Sequence, residues 1–571
     1  MKSSSALRVR IRVLSALVFL VAILLVTKLF FVQVIHQNTY AEKADRQYSS
    51  SSGDVFNRGS IFFSKKDGSL VAAATMSTGF KLAMNPKEVV DGEALYQALS
   101  PYMTMSKDVF MAKVAKKNDP YEELAIRLNK EQVDAISALR LPGVLVSKDK
   151  WRFYPGENLA SHTLGLVAYK GDARVGQYGL ERFYEKTLAR PHDEVYVNFF
   201  AEVFSNIKNS LSSDVSPKGD IVTTIEPLTQ HALEAELKNT LKKWNADEAW
   251  GIIINPQNGE IYALAGAPDF DVNNFASVSS AGVYRNAFAE SVFELGSVIK
   301  PLVMAAALDA NVLTPATTYF DAGVVTVNKK QIMNFDKKAR GLSTMQTVLD
   351  QSLNTGMVFI ENKLGHERFR SYMKAYGIGE KTGIDLPNET SGLIKNLESP
   401  RDIEYANASF GQGIALTPIG ATRAFSAIAN GGNLITPHFV KQIRYENGLS
   451  KIPEYPAVRT GVIKKETSET ISRMLVHVFE SYDQGAHKFE HYSIATKTGT
   501  AQVAQENGKG YYLDRHLHSF FGYFPAYDPK FLVFLFLKNP HEAKYASQTL
   551  IPPFVNLTKF LVNYYVVPPD R

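Results

Sequence analysis

The hydrophobic pattern divides the chain into three unlike stretches. Residues 13–35, VLSALVFLVAILLVTKLFFVQVI, form one apolar run of about the ~20 residues that a helix needs to cross a bilayer. Its one charge, Lys28, costs ~2.5–3.5 kcal/mol at mid-bilayer, but it lies toward the exit side, where its long stem can reach the interface. After a polar Ser-rich linker that begins at Tyr48, residues 55–215 carry short apolar runs at 69–74, 80–84, 141–146 and 195–199 between Gly and Pro punctuation. That texture predicts short strands with a few helices.

The pattern changes after Pro217-Lys218-Gly219. Residues 222–225 read as a strand and 228–244 as a helix by apolar spacing. GIIINPQNGEIYALAGAP then reads as two strands around the Asn258-Gly259 turn. Helical stretches occupy much of 298–430, strands return at 493–503, 520–524 and 531–537, and a helix spans about 554–565. Strands at both ends with helices between them predict an α/β (α+β) domain, one mainly antiparallel sheet flanked by helices.

The 571 residues suit two or three folded units, with 45% hydrophobic and 21% charged residues as in globular proteins. The net charge of +6 is mild, and no basic stripe calls for nucleic acid. The absence of cysteine removes disulfides, thiolate metal sites and Cys nucleophiles, and the 12 histidines show no metal-ligand spacing. Neither a metal nor a cofactor has support in the sequence. Lys2, Arg8, Arg10 and Arg12 precede the first acid, Glu42, so the N-terminus is expected in the cytoplasm and everything after residue 35 outside. A cleaved signal peptide is the alternative, but the apolar run is long and no A-x-A site follows it. The expected organisation is a cytoplasmic N-terminus (1–12), an uncleaved membrane anchor (13–35), a non-catalytic pedestal (36–220) and a catalytic domain (221–571).

Three short motifs occur in order: Ser297-Val298-Ile299-Lys300, Ser352-Leu353-Asn354 and Lys497-Thr498-Gly499-Thr500. Pro301 is tolerated only in a helix's first turn, which places Ser297 at the start of a helix that is apolar all round and hence buried. There a free Ser297 N–H can help to stabilise an oxyanion, and Lys300, one turn on, projects on the same side. Burial, the helix start and the cation Lys497 should lower the pKa of Lys300, so that it can take the serine proton. SIATKTGTAQVA reads as a strand, beside which a substrate peptide can lie as an added strand where Gly499 leaves the backbone uncovered. Thr498, Thr500 and Lys497 can hold a carboxylate, and the Thr500 N–H can serve as the second oxyanion donor. Ser352 and Asn354 are expected to relay a proton and grip a substrate amide. Each motif alone is weak. Ser147/Lys150 and Ser205/Lys208 share the first spacing, and Lys381-Thr382-Gly383 repeats the third in a turn-rich context that predicts a loop.

The three together resemble the motif set of penicillin-binding proteins and β-lactamases. Nearly the whole chain is similar to class B (monofunctional) high-molecular-weight penicillin-binding proteins. FELGSVIKP resembles the family's F-E-P-G-S-T-x-K-P, with Leu295 in place of Pro, and FGQGIALTPIG its F-G-x-G-x-x-x-T-P segment. In the pedestal, Arg58-Gly59-Ser60-Ile61 resembles the R-G-x-I box, and Tyr154-Pro155, Ala160-x-His162-x-x-Gly165 and Gly179-x-Glu181 resemble others. The departures are Phe63-Ser64 where the family has D-R, and Glu157 where it has glycine.

The resemblance implies a single-pass inner-membrane protein with a β-rich dimerisation domain and a periplasmic transpeptidase domain. Its Ser297 would form an acyl-enzyme on D-Ala-D-Ala in peptidoglycan stem peptides and on β-lactams. The implied partners are a SEDS-type glycosyltransferase (FtsW- or RodA-like) and divisome or elongasome proteins, with the septal role favoured over elongation. D,D-Carboxypeptidase or β-lactamase activity is an alternative, against which the large pedestal and the anchor argue. A catalytically silent sensor or scaffold is another, against which the intact Ser297, Lys300, Ser352, Asn354 and Lys497 weigh.

Overall fold

The computed structural model describes residues 56–571 apart from 172, 191–217, 279 and 506–509, together with Phe19, Leu20, Ile23 and Lys28. The expected anchor, 13–35, otherwise lies outside the described residues, as does the run 195–199. Among the described residues no helix is long and apolar enough to cross a membrane. The chain divides into Met1–Phe56 with His192–Val195, and Asn57–Pro191 with Tyr196–Arg571. Both large sheets and all three motifs lie in the second body.

Its first half builds a sheet from β1 (Ile61–Ser64), β2 (Leu70–Met84), β3 (Glu122–Leu128), β4 (Val144–Phe153) and β5 (Gly219–Thr223). The apolar runs 69–74 and 80–84 belong to one 15-residue strand, β2, which pairs antiparallel with β1 at one end and with β3 and β4 at the other. β5 pairs parallel with β1. The family-like boxes of the pedestal converge here although their sequence positions are far apart. Glu181 is fully buried between Arg58 Nε (2.5 Å) and Arg152 Nε (2.7 Å), and Tyr154 Oη donates to it at 3.2 Å. A carboxylate this deep is tolerated because two guanidinium groups and a hydroxyl satisfy its lone pairs. Gly59 has no room for a side chain, since a Cβ would lie 2.1 Å from Gly219 O. Glu157 occupies left-handed backbone at φ 54°, which explains why glycine suits that position.

The second half begins with α1 (Pro227–Lys243), β6 (Glu248–Ile254) and β7 (Ile261–Ala267). It continues through α2 (Lys300–Asp309), α3 (Asn354–Leu364), α4 (Pro418–Ala429), β8 (Val440–Tyr445) and α5 (Lys465–Ser481). It ends with β9 (Ala495–Ala504), β10 (Tyr511–Phe524), β11 (Phe531–Lys538) and α6 (Ala546–Tyr565). Five strands form one antiparallel sheet in the order β9-β10-β11-β6-β7. β8 instead pairs with β5, so the first sheet is completed by a strand from the second half.

β11, FLVFLFLK, is apolar on both faces because both are covered. Phe534 and Phe536 enter the core shared with α2, α3, α4 and α5, whereas Val533, Leu535 and Leu537 enter the core shared with α1 and α6. Each such side chain contributes about 1.5–3 kcal/mol by leaving water. The last helix starts at Ala546, eight residues before its sequence expectation, and carries Pro552 and Pro553 inside it. β9 is left as an edge strand, with one side open for pairing.

Candidate active site

Gly296 holds a left-handed φ of 64° and opens a tight turn, Gly296–Ile299, which leads into α2. Pro301 falls in the first turn of α2, where its missing N–H costs nothing. The turn leaves Ser297 half-buried at the wall of a cleft of about 650 Å³, while Val298, Ile299 and Lys300 are wholly buried. The cleft also reaches Ser352, Asn354, Lys497, Thr498, Gly499 and Thr500, so seven of the eight sequence-selected residues line it, and Lys300 lies behind them.

Lys300 Nζ lies 2.6 Å from Ser352 O, 2.8 Å from Asn354 Oδ1 and 3.1 Å from Ser352 Oγ. Asn354 Nδ2 donates to Met333 O at 3.0 Å, so Oδ1 is the acceptor toward the lysine. Burial, and then the Lys497 charge, push the Lys300 pKa well below its ordinary value. A neutral amine has two N–H bonds and one lone pair. The two carbonyl-type oxygens can take the N–H bonds, which turns the lone pair toward the Ser352 hydroxyl. Among the described residues Lys300 makes no hydrogen bond to Ser297 Oγ.

Ser352 is itself in left-handed backbone, φ 53°, a conformation that costs about 1–3 kcal/mol in a residue with a side chain. It sits between the helix Met345–Asp350 and α3. Its hydroxyl lies between the two lysines, 3.1 Å from Lys300 Nζ and 3.2 Å from Lys497 Nζ. Asn354, expected to grip a substrate amide, lines the cleft with Oδ1 bonded to Lys300 and Nδ2 to Met333 O.

Lys497 enters from β9 and is also buried, its Nζ donating to Thr498 O at 3.1 Å. Burial lowers its pKa to about 7, and the Asp350 carboxylate works in the opposite direction. Thr498 and Thr500 alternate with it onto a half-exposed face. Tyr482 Oη donates to Thr498 Oγ1 and accepts from Thr498 N, both at 3.3 Å, while Thr500 Oγ1 accepts from Ala546 N at 3.1 Å.

Gly499 plays a different part from the one expected. A Cβ there would stand 2.7 Å from Leu295 O, 3.0 Å from Val298 N and 2.5 Å from Ser519 Oγ. Its missing side chain lets β9 close against the turn that carries Ser297. Gly411, φ 81°, lets the 410–413 loop approach from the other side, where a Cβ would stand 2.2 Å from Gly296 O.

The competing motifs fall elsewhere. Lys381-Thr382-Gly383 is a loop, where the Glu389 carboxylate binds Thr382 Oγ1 at 2.7 Å and Gly383 N at 3.0 Å. Ser147 and Lys150 lie on β4, where an odd spacing puts them on opposite faces. Ser205 and Lys208 lie outside the described residues. Sequence reasoning missed Asp350, Tyr482, Phe410, Gln412 and the Met333 carbonyl. Phe410 and Gln412 belong to the FGQG segment, which was a usable signal; the others have none.

Two family models match this chain. The penicillin-binding protein dimerisation domain covers residues 56–219, and the penicillin-binding protein transpeptidase domain covers 250–556. Stage V sporulation protein D of Bacillus subtilis is 31% identical over 96% of this chain and 85% of its own length. The peptidoglycan D,D-transpeptidase FtsI of Escherichia coli is 25% identical over 82% of this chain and 77% of its own. The fold is shared with penicillin-binding protein 2X of Streptococcus thermophilus at a TM-score of 0.71 and 19% identity, covering 90% of this chain and 81% of that one. A serine and two buried lysines around one cleft are thus set in a body similar along most of its length to known cell-wall enzymes. The chain belongs to the class B penicillin-binding proteins, and it is a serine-type D,D-transpeptidase of that family.

Proposed function

We propose that Ser297 is the nucleophile of peptidoglycan cross-linking. Its Oγ attacks the penultimate D-Ala carbonyl of a stem peptide ending in D-Ala-D-Ala, and the serine proton passes to a neutral Lys300. The tetrahedral intermediate expels the terminal D-Ala, whose nitrogen takes up that proton, and an ester on Ser297 remains. An amine of a neighbouring stem then attacks the ester, forms the cross-link and restores the serine. Ser297 N–H and Thr500 N–H stabilise the oxyanion, while Thr498, Thr500 and Lys497 hold the terminal carboxylate. The observation that carries this reading is the pair of buried lysines flanking one hydroxyl beside Ser297, with the Lys300 lone pair free to take a proton.

A second proton route has an observation of its own. Ser352 Oγ, not Ser297 Oγ, is in hydrogen-bond reach of Lys300, so Ser352 can relay the proton from Ser297. Asn354 then acts as the group that orients Lys300.

The rest of the reading follows the N-terminal pattern and the relatives. The chain is anchored through residues 13–35 with its catalytic body outside the cytoplasmic membrane. It takes polymerised glycan from a SEDS-type glycosyltransferase and serves septal synthesis rather than elongation.

Peptide mapping of penicillin-labelled protein, with imaging of the labelled protein in cells, tests the proposal. The label should fall on Ser297 and concentrate at the division site. A label on Ser352 or Ser147 would remove the nucleophile assignment.

A further inference from the structure

The cleft wall contains one carboxylate that no motif marks. Asp350 ends the helix Met345–Asp350, two residues before Ser352. Among the described residues that line the cleft it is the one acid, facing the cations Arg340, Lys497 and Lys544. It is also held in place. Gln346 Nε2 donates to Asp350 Oδ1 at 2.7 Å, and His477 Nδ1 on α5 lies 3.0 Å from the same oxygen. Gln346 also donates to Met474 O at 3.1 Å, which ties this helix to α5. Asp350 Oδ2 takes no hydrogen bond among the described residues.

Lys497 works under two handicaps. It is 1% exposed, and it shares the Ser352 hydroxyl with a second lysine. A buried cation without a partner sheds its proton rather than stay charged. A neutral Lys497 could not grip a carboxylate.

We infer that Asp350 is a positioning residue of this site: fixed by Gln346 and His477, its carboxylate is the counter-charge that keeps Lys497 charged for the carboxylate end of the stem peptide. The inference rests on the reading that Lys497 binds that carboxylate. With Lys300 neutral, Lys497 and Asp350 add one positive and one negative charge to the resting site, beside Lys544, which lies over the Tyr545 ring at the cleft wall. The other groups around Asp350 do not replace it. Arg340 is paired bidentately with Asp336 (2.8 Å to each oxygen) and donates to Gln351 Oε1 at 2.8 Å. Tyr482 is a neutral phenol, pushed up to about 12 by burial. His477 is 60% exposed and serves Asp350 as a hydrogen-bond partner, not Lys497 as a counter-charge.

The test is the second-order rate of acylation of the full-length protein in detergent micelles, across pH, with penicillin and with its carboxylate methyl ester. For the wild type, the rate with the free acid should fall as pH rises through about 7, where Lys497 loses its proton. Asp350→Asn, which keeps the acceptor oxygen, should move that fall about one pH unit lower and cost about tenfold above it. Asp350→Glu should recover most of the loss, and neither change should alter the rate with the ester. His477→Arg, at an exposed position, sets a permanent cation against Asp350 and should move the fall the same way by a smaller step. That variant decides the matter if Asp350→Asn does not fold. A wild type that prefers the free acid, with variants that keep its alkaline limb or lose rate equally with both ligands, overturns the inference alone. A wild type indifferent to esterification removes the Lys497 reading, and the inference with it.

Discussion

Gly499→Ala puts the packing of β9 against the Ser297 turn to a direct test. The added methyl would stand 2.7 Å from Leu295 O, about 0.7 Å inside ordinary contact. The other obstacle, Ser519 Oγ at 2.5 Å, cannot swing aside freely because it donates to the same Leu295 O at 2.8 Å. Either that buried hydrogen bond breaks, at ~1–3 kcal/mol, or β9 retreats from the Ser297 turn against an overpacking cost of ~1–3 kcal/mol. We expect a stability loss of about 1–3 kcal/mol by urea titration. A retreat of most of an ångström separates the Thr500 N–H from Ser297, and misplacement on that scale costs up to ~10²-fold in rate. Penicillin acylation should therefore fall roughly 10–100-fold in the protein that remains folded. The control is Gly383→Ala in the other Lys-Thr-Gly. Its φ of 79° implies a strain of about 1 kcal/mol, but a Cβ there meets only Thr436 Cγ2 at 4.0 Å, and acylation should not change. Wild-type acylation by Gly499→Ala would refute the claim that this glycine sets the distance between strand and nucleophile.

Three further substitutions separate roles within the protein. Lys300→Arg replaces a group that must be neutral by one that stays charged, and should lower the acylation rate by at least ~10²–10⁴-fold. Lys497→Arg should retain more, and stopped-flow acylation in which it proves the more damaging would move the base role to the Ser352–Lys497 route. Glu181→Gln removes the buried carboxylate that Arg58 and Arg152 share, leaving Arg58 only Glu185, and should cost about 3–5 kcal/mol in chemical denaturation, with acylation per folded molecule unchanged. A loss under 1 kcal/mol would show that the ion cluster is not what holds the pedestal to its first strand.

Local rules made much of this molecule legible in its residues. The two apolar runs around the Asn258-Gly259 turn located the β6–β7 hairpin, since turn chemistry acts over a few neighbours. Pro301 placed Ser297 at a helix start because a ring without N–H is tolerated only there. Strand spacing likewise put Thr498 and Thr500 on one face. The sequence pattern places the last helix too late, at about 554–565, whereas α6 starts at Ala546 and runs through Pro552 and Pro553 within the packing of the second core. Seven of the eight motif side chains line one cleft and the eighth lies behind it, because three motifs that are each weak become specific when one fold must satisfy all of them.

What the residues could not disclose depends on groups distant along the chain. The environment of Lys300 comes from Ser352 and Asn354, 52 and 54 residues on, and the Ser352 hydroxyl meets Lys497 across 145 residues. Desolvation and Coulomb interaction act through space, so no spacing rule states how far burial lowers each lysine's pKa or that Asp350 lines the same cleft as Lys497. For Gly499 and Asn354 the motifs indicate the place but not the contacts made there. Only the packed structure shows that the glycine admits the Leu295 carbonyl and the Ser297 turn, and that the asparagine is committed to Lys300 and Met333. Steric rules along the backbone determined where Ser297 sits, and close packing between remote segments decided the burial and hydrogen-bond partners of the groups around it.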